Sequence, residues 1–133
     1  MTNLIAIAEQ RDGELRETSL EAIAALKHIK QDGDVLAVAI ASGDPQAHAQ
    51  ALSVEGVDEV ITIKTSDDFQ PDQMESIIVA LGEERKPRAI AIAHGVDAWG
   101  YAPAAAVKLD SGLATDVLKL ELDGDDLVAT RAA

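Results

Sequence analysis

The chain has no cysteine, which removes disulfide scaffolding, Cys-ligated zinc and thiol chemistry and leaves the redox compartment open. Aromatic residues are almost missing as well, since Phe69, Trp99 and Tyr101 are the whole set. A core without aromatic bulk has to be made of Ile, Val, Leu and Ala, which suits thin, closely packed layers of sheet and helix. No apolar run approaches the roughly 20 residues that a membrane-spanning helix needs, so membrane insertion is not expected. Met1-Thr2-Asn3 leads directly into a strand-like run without a basic n-region or an Arg/Ser-rich amphipathic leader, a start expected of a cytoplasmic protein.

Basic residues are scarce: 11 Lys and Arg stand against 24 Asp and Glu, for a formal charge of −13. Such a surface repels phosphate backbones and anionic lipid, so no nucleic-acid partner is expected, and the acid excess reads as a solvated surface. His28 and His48 fall on separate predicted helices, and the carboxylates are scattered over helix faces and turns. Asp67-Asp68 and the acidic run 123–126 lack the spaced oxygens, central Gly and terminal Glu of a calcium loop. No metal site is expected.

What is present is a repeated strand pattern. At 133 residues there is room for one domain, residues 1–133, burying roughly two-thirds of its unfolded surface. Residues 4–8 place Ile5 and Ile7 on one face and Ala6 and Ala8 on the other, and residues 35–41 repeat the large/Ala alternation. Apolar character on both faces is the mark of a central parallel strand. Residues 60–63 and 89–93 predict a third and a fourth strand. Between the first two, Arg11-Asp12-Gly13 predicts a small hairpin-like excursion over 9–16. Thr18 and Glu21 have capping-box spacing, predicting a helix to about Gly33 with Leu20, Ile23, Ala24 and Lys27 along one stripe. Asp44-Pro45 reads as N-cap and first position of a helix to about Ser53. After Pro71, Met74, Ile77, Ile78 and Leu81 form the core stripe of a longer helix ending at Lys86-Pro87, and residues 103–109 predict a last one.

Strands alternating with helices of this length imply right-handed crossovers. The expected fold is α/β: a three-layer, doubly wound, mostly parallel sheet, Rossmann-like and adenine nucleotide alpha hydrolase-like. Residues 117–122 and 127–130 flank an acidic turn and add a C-terminal β-hairpin.

Ligands of such sheets sit at the carboxyl ends of the strands. Neither a G-x-G-x-x-G nor a Walker loop is present. Ser42-Gly43-Asp44 closes strand two before a helix N-terminus, where free amides can bind phosphate, but Asp44 brings negative charge to that place and favours a plain cap. His94-Gly95-Val96-Asp97 with Trp99 and Tyr101 gathers a base, an acid and two aromatics in one loop without a nucleophile. Ser42, Gly43, His94 and Gly95 are therefore weak cofactor-binding candidates, and no catalytic residue is assigned.

The run Ala8-Glu9-Gln10-Arg11-Asp12-Gly13-Glu14-Leu15-Arg16, with Ser19-Leu20-Glu21-Ala22-Ile23-Ala24, resembles the opening of electron transfer flavoprotein alpha subunits. Gly56-Val57-Asp58-Glu59-Val60 is similar to that family's entry to strand three, and Pro87-Arg88-Ala89-Ile90 to its entry to strand four. Ala102-Pro103, Leu109-Asp110 and Thr115-Asp116-Val117 are similar to its last helix and the step after it. The family's Gly-Arg-Asp run ahead of Ala-Pro is here Ala98-Trp99-Gly100, and Ala104 stands where Arg often follows, so no role is carried onto that loop.

The resemblance implies a two-domain subunit. Its N-terminal domain is a scaffold that pairs with the beta subunit, and a C-terminal domain, absent from these residues, holds FAD and exchanges electrons with flavin dehydrogenases. It implies an electron-carrier component rather than an enzyme, and no cofactor in residues 1–133. Two other readings stand beside it. One is a self-standing adenine-nucleotide-binding module similar to universal stress proteins, whose Gly-rich signature after the fourth strand is missing here. The other, a small enzyme using His94 and Asp97, has the least support.

Overall fold

The computed structural model describes residues 2–93, 97–115, 117–124 and 126–131. Its centre is β1, Leu4–Ile7, whose four residues are all buried. β1 runs parallel to β4, Leu36–Ser42, on one side and to β6, Ala89–Ile92, on the other. β4 in turn pairs in parallel with β5, Glu59–Lys64, giving the order β5-β4-β1-β6. Two strands of two residues each follow β1 as a small hairpin: β2, Gln10–Arg11, and β3, Glu14–Leu15, pair antiparallel. Asp12 and Gly13 between them both have positive φ, 52° and 83°, the geometry of a tight two-residue hairpin turn.

The alternation in β1 decides where the layers go. Leu4, Ala6 and Ala8 face α1, Thr18–Ile29, through Ala22, Ile23, Leu26 and Ile29, joined by Leu52 of α2, Gln46–Leu52. Ile5 and Ile7 face the other way, onto Ile78 and Leu81 of α3, Pro71–Arg85, and onto Tyr101 and Ala105 beside α4, Ala102–Lys108. The chain winds from β1 through α1 and α2 to β5, and α3 then carries it back across to β6 on the far side of β1. The fold is thus a three-layer, doubly wound α/β structure. A separate antiparallel hairpin, β7 Val117–Asp123 and β8 Asp126–Arg131, lays Leu120 and Leu122 against the α1-side core. Asp116 and Asp125 lie outside the described residues.

Four local expectations are corrected. The buried face of α1 is Ser19, Ala22, Ile23, Leu26 and Ile29, while Leu20, Ala24 and Lys27 point outward. The cause is Ser19: its hydroxyl accepts from Glu9 N–H at 2.8 Å and donates to Glu9 O at 3.2 Å, which turns that side of the helix to the sheet. The Thr18 capping box does not form; Glu17 precedes the helix without a side-chain cap, and the helix stops at Ile29 rather than near Gly33. At α2, Pro45 and not Asp44 is the capping position.

The amino ends of the strands are tied by polar side chains. Asn3 Oδ1 accepts from Val35 N–H, and Arg88 N–H donates to Asn3 O at 2.6 Å. Asp34 accepts from both Arg88 guanidinium nitrogens, at 2.7 and 3.3 Å, and from Gln31 N–H. The Arg88 bond, with help from Gln31, holds the Asp34 carboxyl below the usual range. Arg85 similarly joins Thr2 to Glu59.

Candidate functional site

The connections reverse direction between β1 and β6, and in open parallel sheets ligands bind outside the carboxyl ends of the strands at such a place. Here the chain leaves β1 through Ala8, Glu9 and Gln10, leaves β5 through residues 65–70, and re-enters through a 3-10 turn, Asp97–Gly100, followed by Tyr101. Together these segments line a cleft of about 30 Å³, the room of about one water molecule.

The polar groups of the cleft are bonded to one another. Tyr101, fully buried, donates its hydroxyl to Glu9 Oε1 at 2.6 Å and meets the edge of Phe69 at a ring distance of 6.1 Å. Burial lifts the Glu9 carboxyl above its ordinary value; the Tyr101 hydrogen bond opposes that lift and the charge of Asp97 adds to it. Burial, first, and then the negative charge of Glu9 push the Tyr101 phenol far up. Asp97 accepts two bonds from Arg11 Nη2, at 2.9 and 3.2 Å. A neutral phenol and a shielded carboxyl hold the 97–101 segment against the end of β1. The bonds among Glu9, Tyr101, Asp97 and Arg11 thus serve to anchor that segment.

Of the residues singled out from sequence, Ser42 is buried at the end of β4, where its hydroxyl accepts from Asp44 N–H at 3.1 Å. Gly43 N–H, the amide a phosphate would need, donates instead to Asp67 Oδ1 at 2.8 Å. The negative charge that meets this amide therefore comes from Asp67. A Cβ on Gly43 would meet the Asp67 carboxylate at 3.2–3.3 Å, so glycine permits the close approach. Gln10 completes the loop by donating to Asp67 O and accepting from Gly13 N–H. His94 and Gly95 lie outside the described residues. Asp97 pairs with Arg11, and Trp99 is largely exposed, so of the two loop aromatics only Tyr101 fills the gap between helix and sheet.

The residues that sequence reasoning named only in other roles and did not assign to the site are Glu9, Arg11 and Asp67. A carboxylate directly after a buried strand was the available signal for Glu9; Asp67 and Arg11 gave none, because their partners lie far away in the chain. Among the described residues no group of three or more His, Asp and Glu side chains is placed to hold a metal ion. No helix there is long and apolar enough to cross a membrane.

Comparison with known proteins places this geometry. The profile of the Electron transfer flavoprotein domain matches residues 4–133. Electron transfer flavoprotein subunit alpha of Methylophilus methylotrophus is 43% identical over 133 residues, covering 98% of this chain and 41% of that protein. The subunit of the same name from Bacillus subtilis is 32% identical, covering 96% and 40%. Protein FixB of Clostridium saccharobutylicum is 30% identical, covering 95% and 39%. The chain spans about two-fifths of the length of the curated relatives it matches. With a match over nearly every residue and the same order of elements that the resemblance implied, the chain belongs to the electron transfer flavoprotein family.

Proposed function

We propose that this chain is the N-terminal scaffold domain of an electron transfer flavoprotein alpha subunit. It pairs with the beta subunit, and the assembled heterodimer passes electrons from flavin dehydrogenases through FAD held in a C-terminal domain beyond residue 133. The chain is on this reading an electron-carrier component of the cytoplasm, not an enzyme. The observation that carries it is the family match over residues 4–133 set against the two-fifths share of each relative.

The switch-point cleft supports placing the flavin elsewhere. Its room is about one water, its polar groups are bonded among themselves, and Asp67 already occupies the Gly43 amide, so this cleft does not fit FAD. The same features count against a self-standing adenine-nucleotide module. The net charge of −13 agrees with a partner that is neither nucleic acid nor an anionic membrane.

Co-expression tests the reading. Residues 1–133 carrying an affinity tag are expected to retain a co-expressed beta subunit, and flavin absorbance is expected only in the full-length alpha–beta complex. Retention of AMP or ATP by residues 1–133 through gel filtration, with no beta subunit bound, would overturn it.

A further inference from the structure

Outside the cleft, the chain carries three Asp-Gly steps: Asp12-Gly13, Asp32-Gly33 and Asp123-Gly124. An aspartate before glycine is open to attack by the following amide nitrogen on its own side-chain carboxyl, because glycine has no Cβ to crowd the ring that forms. The fold treats the three steps differently. Gly13 N–H donates to Gln10 Oε1 at 2.8 Å, so its nitrogen is engaged. Asp123 is held in the β7–β8 ladder opposite Asp126. Asp32 and Gly33 lie in neither helix nor strand, between the end of α1 at Ile29 and the start of β4 at Leu36. They are the middle of a turn closed by Asp34 N–H donating to Gln31 O at 3.0 Å, with Gly33 at φ 86°. Among the described residues neither the Asp32 carboxyl nor the Gly33 N–H has a hydrogen-bond partner. Both residues are exposed, and a Cβ on Gly33 would meet nothing within 4 Å.

We propose that Asp32-Gly33 is a site of isoaspartate formation, and that the modification loosens the anchor at the amino end of β6. The Gly33 nitrogen adds to the Asp32 side-chain carboxyl carbon. A C–N bond forms, the C–OH bond breaks, and the hydroxyl leaves with the amide proton as water. Water then opens the resulting succinimide. Addition at the former side-chain carbonyl restores aspartate, whereas addition at the former backbone carbonyl routes the chain through Cβ and Cγ and leaves a carboxylate on Cα. The product is an isomer, so no oxidant or reductant is consumed. It has one more carbon in the backbone, about 1.5 Å of extra chain in a tight turn. Asp34 is the last residue of that turn, and its carboxylate accepts two bonds from Arg88 and one from Gln31 N–H. Lengthening the turn displaces that carboxylate from the residue that leads into β6.

The test is peptide mapping of residues 1–133 held folded at mildly acidic pH and physiological temperature, with isoaspartate read by labelling with an isoaspartyl carboxyl methyltransferase. Isoaspartate at position 32 is expected to accumulate about fivefold faster than at position 12, the factor that one hydrogen bond on the attacking nitrogen supplies. In urea the two positions are expected to react alike. Gln10→Ala frees the Gly13 N–H and is expected to bring position 12 up toward position 32. In the modified fraction the Gln31 amide, parted from the Asp34 carboxylate, is expected to exchange about tenfold faster. Equal rates at positions 12 and 32 in the folded chain would overturn the site, as would an unchanged rate at position 12 in folded Gln10→Ala. Unchanged Gln31 exchange in the modified fraction would overturn the link to the β6 anchor.

Discussion

The two edges of the sheet are finished differently. β5, on one side, ends in charge: Glu59 is paired with Arg85 at 2.9 Å and Lys64 is exposed. α2 lies beside it, with Gln46 donating to Thr62 at 3.1 Å. β6, on the other side, is four uncharged residues beside an apolar groove. Charged residues and covering helices are how sheets protect an edge that meets water, and β6 carries no charge along its four residues. The difference shows which edge is finished against solvent and which presents bare strand beside a groove.

Truncation of buried aliphatic side chains tests the contrast most strongly. Ile5→Ala, in the fully buried centre, is expected to cost about 4 kcal/mol in urea unfolding, and Ile61→Ala at the half-buried β5 edge about 2 kcal/mol. Ile90→Ala on β6, half-buried like Ile61, is expected to match Ile61→Ala. A cost for Ile90→Ala near the Ile5→Ala value would break the comparison.

Next in size is the tie that holds β6 at its amino end. Asp34→Ala removes the acceptor of two Arg88 bonds and of Gln31 N–H, and is expected to cost about 1–2 kcal/mol. The Asp34 carboxyl has a folded-state pKa below its ordinary 3.8, so the stability it contributes is present above that value and is lost as pH falls through the folded one. Asp34→Asn is therefore expected to weaken the acid limb of a stability-against-pH curve. An unchanged limb would place the hold on β6 in the Arg88–Asn3 backbone bond instead.

Tyr101→Phe follows, with an expected loss of about 1 kcal/mol, because it leaves Glu9 without its hydroxyl donor while the ring still packs in the core. A neutral result in thermal unfolding would mean that packing, not the hydrogen bond, secures the 97–101 segment.

Much of this architecture was legible in the sequence. The Ile/Ala alternation of β1, β4 and β6 can only serve strands buried on both faces, and the hairpin shows itself by its acidic turn. The face of α1 was not legible, because the residue that orients it is Ser19, a polar side chain buried by its bonds to Glu9 rather than by hydrophobicity. The candidate site was legible only as a location. Ser42 and Gly43 stand where a ligand would sit in this class of sheet, but the carboxylate that takes the Gly43 amide is 24 residues away, and Arg11 reaches Asp97 across 86. Pairings of that span leave no local periodicity to read. The unfinished edge was likewise invisible, since nothing in Ala-Ile-Ala-Ile says whether one neighbour or two will pair with it.

The smallest expected effect separates the shared centre of the sheet from both of its edges. Glu9 lies just past the end of β1, the strand from which both halves are wound, and burial raises its carboxyl above the ordinary 4.5. Between that value and the raised one the folded chain binds more protons than the unfolded chain, so stability falls as pH rises through the window. Glu9→Gln keeps an oxygen for the Tyr101 hydroxyl and removes the charge. The variant is expected to equal the parent below pH 4.5 and to be the more stable of the two at neutral pH, in unfolding curves taken across that range. Because Glu9 is only partly withdrawn from water, screening keeps the gain below about 1 kcal/mol. A parent more stable than Glu9→Gln at neutral pH would reverse the argument. The ionised carboxylate, supported by Tyr101, Arg16 and Arg11, would then be a stabilising element of the strand end rather than a tolerated one.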